Sequence, residues 1–170
     1  MKGLNSKYMV RPRSGMIVKD HVLLKPAHYY YRFAHTMVRG KQQTRDQIVG
    51  GAWWMDFEAF NVIRRSSRAS DTHISAVARR KLAIAKRWSD KVDVVVKALL
   101  VGPLEAYVGD GTIQSFDEKL DTDLSAWIPS NEVAQLYIPG LLEKHPQSGK
   151  RIYQHAFEHV EQTRIGWDPR

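Results

Sequence analysis

Runs of apolar residues along the chain predict five strands. Each run is short, rich in β-branched or aromatic residues, and bounded by glycine, proline or polar residues, as strands usually are. The run after Val92 is the most continuous, so we expect it in the middle of a sheet, and the first two strands can be neighbours. The predicted strands are Met16 to Leu24, Tyr29 to Ala34, Trp53-Trp54, Val92 to Val108 with a break at Gly102-Pro103 and a turn at Gly109-Asp110-Gly111 behind it, and Glu132 to Ile138.

Apolar residues spaced three and four apart predict helices between these strands. Asp56 is expected to cap one helix, and Asp71 or Thr72 the next, with a serine-rich linker from Ser66 to Thr72. The predicted helices are a short one within Thr36 to Val49 that carries Ile48 inward, one from Asp56 to about Arg65, one from about Thr72 to Trp88, and one from Gly149 to Glu161.

Strands and helices mix without regular βαβ alternation, which indicates an α+β fold. We expect a single α+β domain over residues 15–170, with a split or largely antiparallel sheet and flanking helices. Residues 1–14 carry four basic residues, one proline and few apolar residues. They are predicted to form a basic, flexible or loosely docked arm.

Composition excludes several classes of site. The 170 residues include no cysteine, which excludes disulfides, thiolate nucleophiles and cysteine-type zinc sites. No run approaches the roughly 18 apolar residues of a membrane span, and no apolar segment of a secretory signal follows the N-terminus. We therefore expect a protein without a membrane partner, located in the cytoplasm or delivered into a target cell by a specialised secretion system.

Positive charge is concentrated in one region of the chain. The 26 Lys and Arg residues outnumber the 18 Asp and Glu residues, a formal net charge of +8, and the segment from Arg64 to Lys91 is strongly basic. This segment predicts a surface for nucleic acid or an acidic protein partner, and the alternative is an ordinary solvated helix face. The expected contact residues are Arg64, Arg65, Arg79, Arg80 and Arg87.

Two histidine patterns are compatible with hydrolytic chemistry. The string from His155 to His159 has the His-x-x-Glu-His order of inverted zinc peptidases, whose histidines bind zinc one helical turn apart. The predicted helix turns His155 and Glu158 toward solvent, so we predict no metal site. His28 and His35 are compatible with an acid-base pair for RNA cleavage.

The stretch from Pro26 to Ile63 is dense in aromatic residues and contains Arg32 between tyrosines and a phenylalanine. Aromatic surfaces of this density are either core or a stacking surface for a planar ligand. Arg32 is compatible with a structural ion pair and with a phosphate contact. Gly50-Gly51 is predicted to be a turn, because it lacks the flanking pattern of a phosphate-binding loop.

Several short motifs then occur in an order that matches a known family. The strand Tyr30-Tyr31-Arg32-Phe33 precedes a polar helix and the segment from Gly51 to Phe60, and Val94 to Val108 and Gln135 to Gly140 follow. From about Tyr29 to Gly140 this order resembles the ADP-ribosyltransferase toxin-like fold. The resemblance implies that NAD binds in a cleft between two small sheets and that ADP-ribose is transferred to a macromolecular acceptor, protein or nucleic acid, by a toxin, effector or regulator.

The resemblance also implies residue roles. Arg32 would meet the cofactor phosphates, since a guanidinium grips phosphate oxygens bidentately. Tyr30 and Trp53 or Trp54 would stack on the nicotinamide or adenine. A glutamate would stabilise the oxocarbenium-like ribose and orient the nucleophile.

The chain departs from the family at two positions. Gln135 stands where the catalytic glutamate is expected, Glu132 lies three residues earlier on the opposite side of the predicted strand, and Met55-Asp56 replaces an expected serine. The protein is then either an active transferase that uses Glu132 or a relative that only binds NAD. The alternative function is a non-enzymatic basic module that binds nucleic acid or an acidic protein partner.

Overall fold

Two antiparallel sheets and four helices make up the part of the chain that the structure, a computed structural model, describes: residues 1–82, 84, 92–112 and 132–166. The helices are α1 (Arg45–Val49), α2 (Phe57–Ala69), α3 (Ile74–Lys81) and α4 (Ile152–Ala156). The strands are β1 (Met16–Leu24), β2 (Tyr29–Ala34), β3 (Met37–Val38), β4 (Lys41–Gln42), β5 (Trp53–Trp54), β6 (Val94–Leu100), β7 (Leu104–Gly111), β8 (Gln135–Tyr137) and β9 (Phe157–Arg164).

The strand order divides the molecule into two layers. The larger sheet has the order β1-β7-β8-β5, the smaller sheet has the order β2-β6-β9, and β3 and β4 form a separate hairpin. All of the named strand pairs are antiparallel. The prediction of an α+β fold with antiparallel sheets and flanking helices is confirmed, and β6 occupies the middle of its sheet as expected.

Local sequence signals explain where the first helices begin. Thr44 and Gln47 form a capping box at α1, in which Thr44 Oγ1 accepts from the Gln47 backbone N–H at 3.2 Å and Gln47 Oε1 accepts from the Thr44 N–H at 2.9 Å. Asp56 Oδ1 accepts from the Ala59 N–H at 2.9 Å and caps α2. The predicted cap at Asp56 is therefore confirmed, and so is the short helix that carries Ile48 inward, since Ile48 is buried.

The two sheets are joined where β2 passes the end of β5. Tyr31 and Met55 exchange two backbone hydrogen bonds, of 2.9 and 2.8 Å, across this junction. Side chains alternate along β2, so Tyr30, Arg32 and Ala34 face the space between the sheets while Tyr31 and Phe33 pack toward α2 and α3. The Tyr31 ring stacks on Phe60 of α2 with 4.4 Å between centroids. An arginine is thereby carried into the space between the two layers.

The expected pairing of the first two strands is wrong. β1 pairs with β7 over its whole length, whereas β2 pairs with β6 in the other sheet. At the Gly102-Pro103 break the chain leaves β6 in the smaller sheet and enters β7 in the larger sheet. Because β2 pairs with β6 and β1 pairs with β7, the first two strands lie in different sheets. The predicted turn at Gly109 is also wrong, because Gly109 to Gly111 belong to β7 and pair with β1.

The region after α2 differs from the prediction. α2 continues to Ala69, so Ser66 and Ser67 are helical rather than part of a linker, and the Ser70 hydroxyl donates to the Ser66 carbonyl at 2.7 Å. His73, not Asp71 or Thr72, caps α3, and its Nδ1 accepts from the Ser75 N–H at 3.2 Å. α3 ends at Lys81; of the residues predicted to extend it to Trp88, only Leu82 and Ile84 are described.

The predicted C-terminal helix is mostly a strand. α4 has five residues, and from Phe157 the chain runs as β9 along the free edge of β6. A bulge with His159 at φ 47° interrupts the pairing. Backbone pairing with β6 here overrides the helical spacing of the apolar residues.

Part of the predicted N-terminal arm is docked. Asn5 is fully buried, its Nδ2 donates to the carbonyls of Glu105 and Pro139 at 2.9 Å each, and its Oδ1 accepts from the Glu105 N–H at 2.8 Å. The Leu4 N–H also donates to the Pro103 carbonyl at 2.8 Å. These bonds hold the start of the chain on the larger sheet.

Candidate functional site

A cavity of about 300 Å³ lies between the two sheets, beside the junction of β2 and β5. The smaller sheet contributes Arg32, the larger sheet contributes Trp53, Trp54 and Gln135, and the end of α3 contributes Leu82. No aspartate or glutamate is among the described residues that line it. As far as the described residues go, the cavity is therefore a mainly apolar space with a cation on one wall and no carboxylate opposite it.

Arg32 is the most unusual group in this cavity. Its side chain is buried, and neither Nε nor Nη1 has a hydrogen-bond partner within the described part of the chain. Burial lowers the pKa of Arg32 to about 10, so the guanidinium still carries its charge near neutral pH. Keeping an unpaired charge inside a protein is expensive, and an anion in the cavity would offset that cost.

A glycine makes room for this guanidinium. A Cβ added to Gly51 would lie 1.6 Å from Arg32 Nη1, so no larger residue fits while Arg32 keeps its position. The Gly51 carbonyl accepts a hydrogen bond of 2.7 Å from Trp54 Nε1, which fixes the segment against the indole. Sequence reasoning treated Gly50-Gly51 only as a turn and missed this role, because the close approach depends on a strand more than fifteen residues away.

The two tryptophans have different environments. Trp54 is 1% exposed and its ring stacks on Phe157 with 4.7 Å between centroids, so it is a fixed wall of the cavity. The Arg32 Cζ lies 5.9 Å from the centre of the Trp54 ring. Trp53 is only half-buried and contacts Tyr137 with 5.0 Å between centroids. Trp53 is thus the more accessible of the two indoles.

Gln135 lines the cavity from β8. It is buried, and its Nε2 donates to the Leu82 carbonyl at 3.3 Å. A glutamate in this position would have no proton to donate to that carbonyl when ionised. The amide therefore connects β8 to the end of α3, a role that the sequence did not indicate.

The remaining predicted site residues lie elsewhere. Glu132 precedes β8, has a side chain 66% exposed, and forms an ion pair with Lys81 at 3.3 Å; it is not among the cavity-lining residues. Tyr30 is buried in the core between the sheets and does not line the cavity either. Burial raises the pKa of Tyr30, and the nearby Asp56 carboxylate raises it further. The structure brings together Arg32, Trp53, Trp54 and Gln135 but not Tyr30 or Glu132.

The basic surface predicted between Arg64 and Lys91 is described only in part, and one of its residues is not at the surface. Arg79 is buried, and its Nη1 donates to the Ile84 carbonyl at 3.0 Å, so its assignment to an outer face is wrong. Five consecutive residues of α3, Ser75 to Arg79, are buried, so this stretch of the helix has no solvent-exposed face. Arg64 is half-buried and donates to Asn61 at 2.9 Å. Arg65 and Arg80 are exposed, and Lys86, Arg87 and Lys91 lie outside the described residues.

The histidine patterns are separated by the fold. His155 lies on α4 while Glu158 and His159 lie on β9, so the one-turn helical spacing of a zinc site is not formed. His28 and His35 flank the two ends of β2, roughly 20 Å apart at the rise of a strand. Among the described residues, no group of three or more His, Asp or Glu side chains is placed to hold a metal ion.

Comparison of the chain with models of protein families, with curated proteins and with solved structures found no match in any of the three. In the described part of the chain, no helix has the length and apolar character needed to cross a membrane.

Proposed function

We propose that the protein is an ADP-ribosyltransferase-like NAD-binding protein that holds the cofactor between its two sheets. The observation that carries the proposal is the buried Arg32 guanidinium, which lines the cavity, has no hydrogen-bond partner for Nε or Nη1, and meets no aspartate or glutamate among the described lining residues. A diphosphate supplies acceptor oxygens and negative charge to a guanidinium at once. The order of motifs along the chain and the two-layer fold support NAD as the diphosphate ligand.

The aromatic walls support a ligand with a planar ring. Trp53 is half-buried at the cavity, whereas Trp54 is buried and stacked on Phe157. A nicotinamide ring stacked on Trp53 would lie in the cavity that Arg32 and Gln135 also line. We assign stacking to Trp53 and a fixed structural role to Trp54.

The same cavity is poorly equipped for transfer. Breaking the bond between ribose C1′ and nicotinamide develops positive charge on the ribose, which a carboxylate stabilises and a neutral amide does not. Gln135 is that amide, and Glu132 is directed to solvent and Lys81. The protein therefore acts mainly by binding NAD, as a regulator or effector whose acceptor, if it has one, is a protein or nucleic acid.

Replacing Gln135 by glutamate tests this division between binding and catalysis. Gln135→Glu is expected to raise NAD hydrolysis, in which a water oxygen bonds to C1′ and nicotinamide leaves, by roughly tenfold or more. The matched Glu132→Gln variant is expected to leave the wild-type rate unchanged. Release of nicotinamide, followed by chromatography, measures both. A rate that falls with Glu132→Gln would instead make Glu132 the catalytic carboxylate.

Titration calorimetry with NAD tests the binding itself. Wild-type protein is expected to bind, and Arg32→Lys is expected to bind roughly tenfold or more weakly because an ammonium cannot grip a diphosphate bidentately. Arg80→Lys, at an exposed arginine outside the cavity, is the matched control and should bind as the wild type does. Absence of NAD binding by the wild-type protein would contradict the proposal.

A further inference from the structure

A second pocket meets the Arg32 cavity at Trp53. Its volume is about 420 Å³, and it is lined by Val10 to Ser14 of the N-terminal segment and by the rings of Trp53 and Tyr137. Trp53 lines both spaces, and Gly15, which lines the first, lies against the Trp53 ring with φ 92°. The two pockets therefore adjoin the same indole.

The segment that forms this pocket is anchored at both ends. On one side Asn5 is bonded to Glu105 and Pro139, and on the other β1 begins at Met16 and pairs with β7. The intervening residues have to pass over Trp53 and Tyr137 at the edge of the larger sheet. Arg11 and Arg13 are thus held near the two rings by the fold, although their own side chains are exposed.

The chemistry of this pocket matches one half of a dinucleotide. Trp53 and Tyr137 supply two aromatic rings inclined at 58°, and a purine base stacks on such rings. Arg11 and Arg13 form no ion pair with any described residue, which leaves both guanidinium groups available to a phosphate. A ligand that places a base beside a phosphate is a nucleotide, so the pocket has the groups that a nucleotide needs.

We propose that this second pocket binds the adenylate half of NAD, with Arg11 and Arg13 on its phosphate and Trp53 or Tyr137 on its adenine. The inference rests on the proposed function, in which the Arg32 cavity takes the nicotinamide half. At about 300 Å³ that cavity is at the lower limit of small-molecule sites and needs an extension to hold a whole dinucleotide. The second pocket supplies that extension, and the basic arm becomes part of the binding site.

Calorimetry with three probes tests the assignment: NAD, AMP and nicotinamide mononucleotide. The Arg11→Ala/Arg13→Ala variant is expected to lose AMP binding, to bind NAD roughly tenfold or more weakly, and to keep its affinity for nicotinamide mononucleotide within about twofold. Lys2→Ala/Lys7→Ala removes the same charge from the same segment outside this pocket and should bind all three probes as the wild type does. Tyr137→Leu, which keeps both arginines, should weaken AMP binding and spare nicotinamide mononucleotide.

The outcomes separate this inference from the proposed function. If both the arginine variant and Tyr137→Leu bind AMP and NAD with wild-type affinity, the second pocket is not the adenylate site; NAD binding that Arg32→Met abolishes would still leave the proposed function standing. Equal weakening by the lysine control would show an effect of net charge and overturn the inference. If the wild-type protein binds none of the three probes, both proposals fail.

Discussion

Arg32 and Arg79 are buried to the same extent, each 9% exposed, yet their surroundings differ. Arg79, near the end of α3, donates from Nη1 to the Ile84 carbonyl at 3.0 Å. Arg32, between the sheets, has no partner for Nε or Nη1 within the described residues and lies against a cavity. The comparison shows that two equally buried arginines can differ in whether their donors are used, and this difference is the basis for proposing a ligand at Arg32 and not at Arg79.

This difference assigns the two charges to different roles. The Arg79 guanidinium connects α3 to the residues after it, so its desolvation is offset inside the chain. Under the proposed function, the desolvation of the Arg32 guanidinium is instead offset by the bound anion. A binding site that is less stable without its ligand is expected where function competes with stability.

The largest effect is expected from Gly51→Ala. The new Cβ would lie 1.6 Å from Arg32 Nη1 and force the guanidinium out of its place, lowering the free energy of unfolding by about 1–3 kcal/mol and abolishing NAD binding. In an Arg32→Ala background the same change should be nearly neutral, because the clash is gone. Chemical denaturation of the four proteins of this double-mutant cycle measures the coupling. Additive effects would mean that Gly51 and Arg32 are not in contact.

A smaller effect is expected from pH. Burial lowers the pKa of Arg32 from its ordinary value to about 10, so from about pH 10 up to the ordinary arginine pKa the unfolded chain binds more protons than the folded one and stability rises with pH. The stability advantage expected for Arg32→Met should therefore be constant below about pH 9 and shrink by about 1 kcal/mol at pH 11. Parallel urea denaturation of both proteins cancels all other titrating groups. A constant difference up to pH 11 would contradict a charged, desolvated Arg32.

The smallest effect is expected on the exposed basic surface. Arg65→Glu and Arg80→Glu change stability by less than about 0.5 kcal/mol, because both side chains are exposed. They should leave NAD binding unchanged, in contrast to any change at Arg32. Electrophoretic mobility shift with DNA or RNA at several salt concentrations tests the alternative function. Strong binding that these substitutions remove would make nucleic acid a partner of this surface.

Much of the fold could be predicted because its signals are local. The β-branched run of β6, the Asp56 cap and the aromatic run of β2 each specify their element within a few residues. The segment after Phe157 was predicted as a helix because its apolar spacing is helical, and only pairing with β6, sixty residues away, makes it a strand. Which sheet β1 joins likewise depends on a distant partner.

The candidate site could be predicted in part. Arg32, Trp53, Trp54 and Gln135 were singled out together from motif order, and they do line one cavity. Tyr30, which the resemblance implied as a stacking residue, lies on the same face of the strand as Arg32 but two residues earlier, inside the core. The unpaired state of Arg32 could not be predicted, since it depends on which groups four separate elements bring to it.

The most direct test of the account compares Arg32→Met and Arg79→Met by thermal unfolding, with and without NAD. We predict that Arg32→Met raises the free energy of unfolding without ligand by about 1–3 kcal/mol and removes the stabilisation by NAD. Arg79→Met should lower the free energy of unfolding by about 2–3 kcal/mol, and NAD should still stabilise this variant. An Arg32→Met protein that is less stable than the wild type, or that NAD still stabilises, would contradict the claim that Arg32 is held unpaired for an anionic ligand.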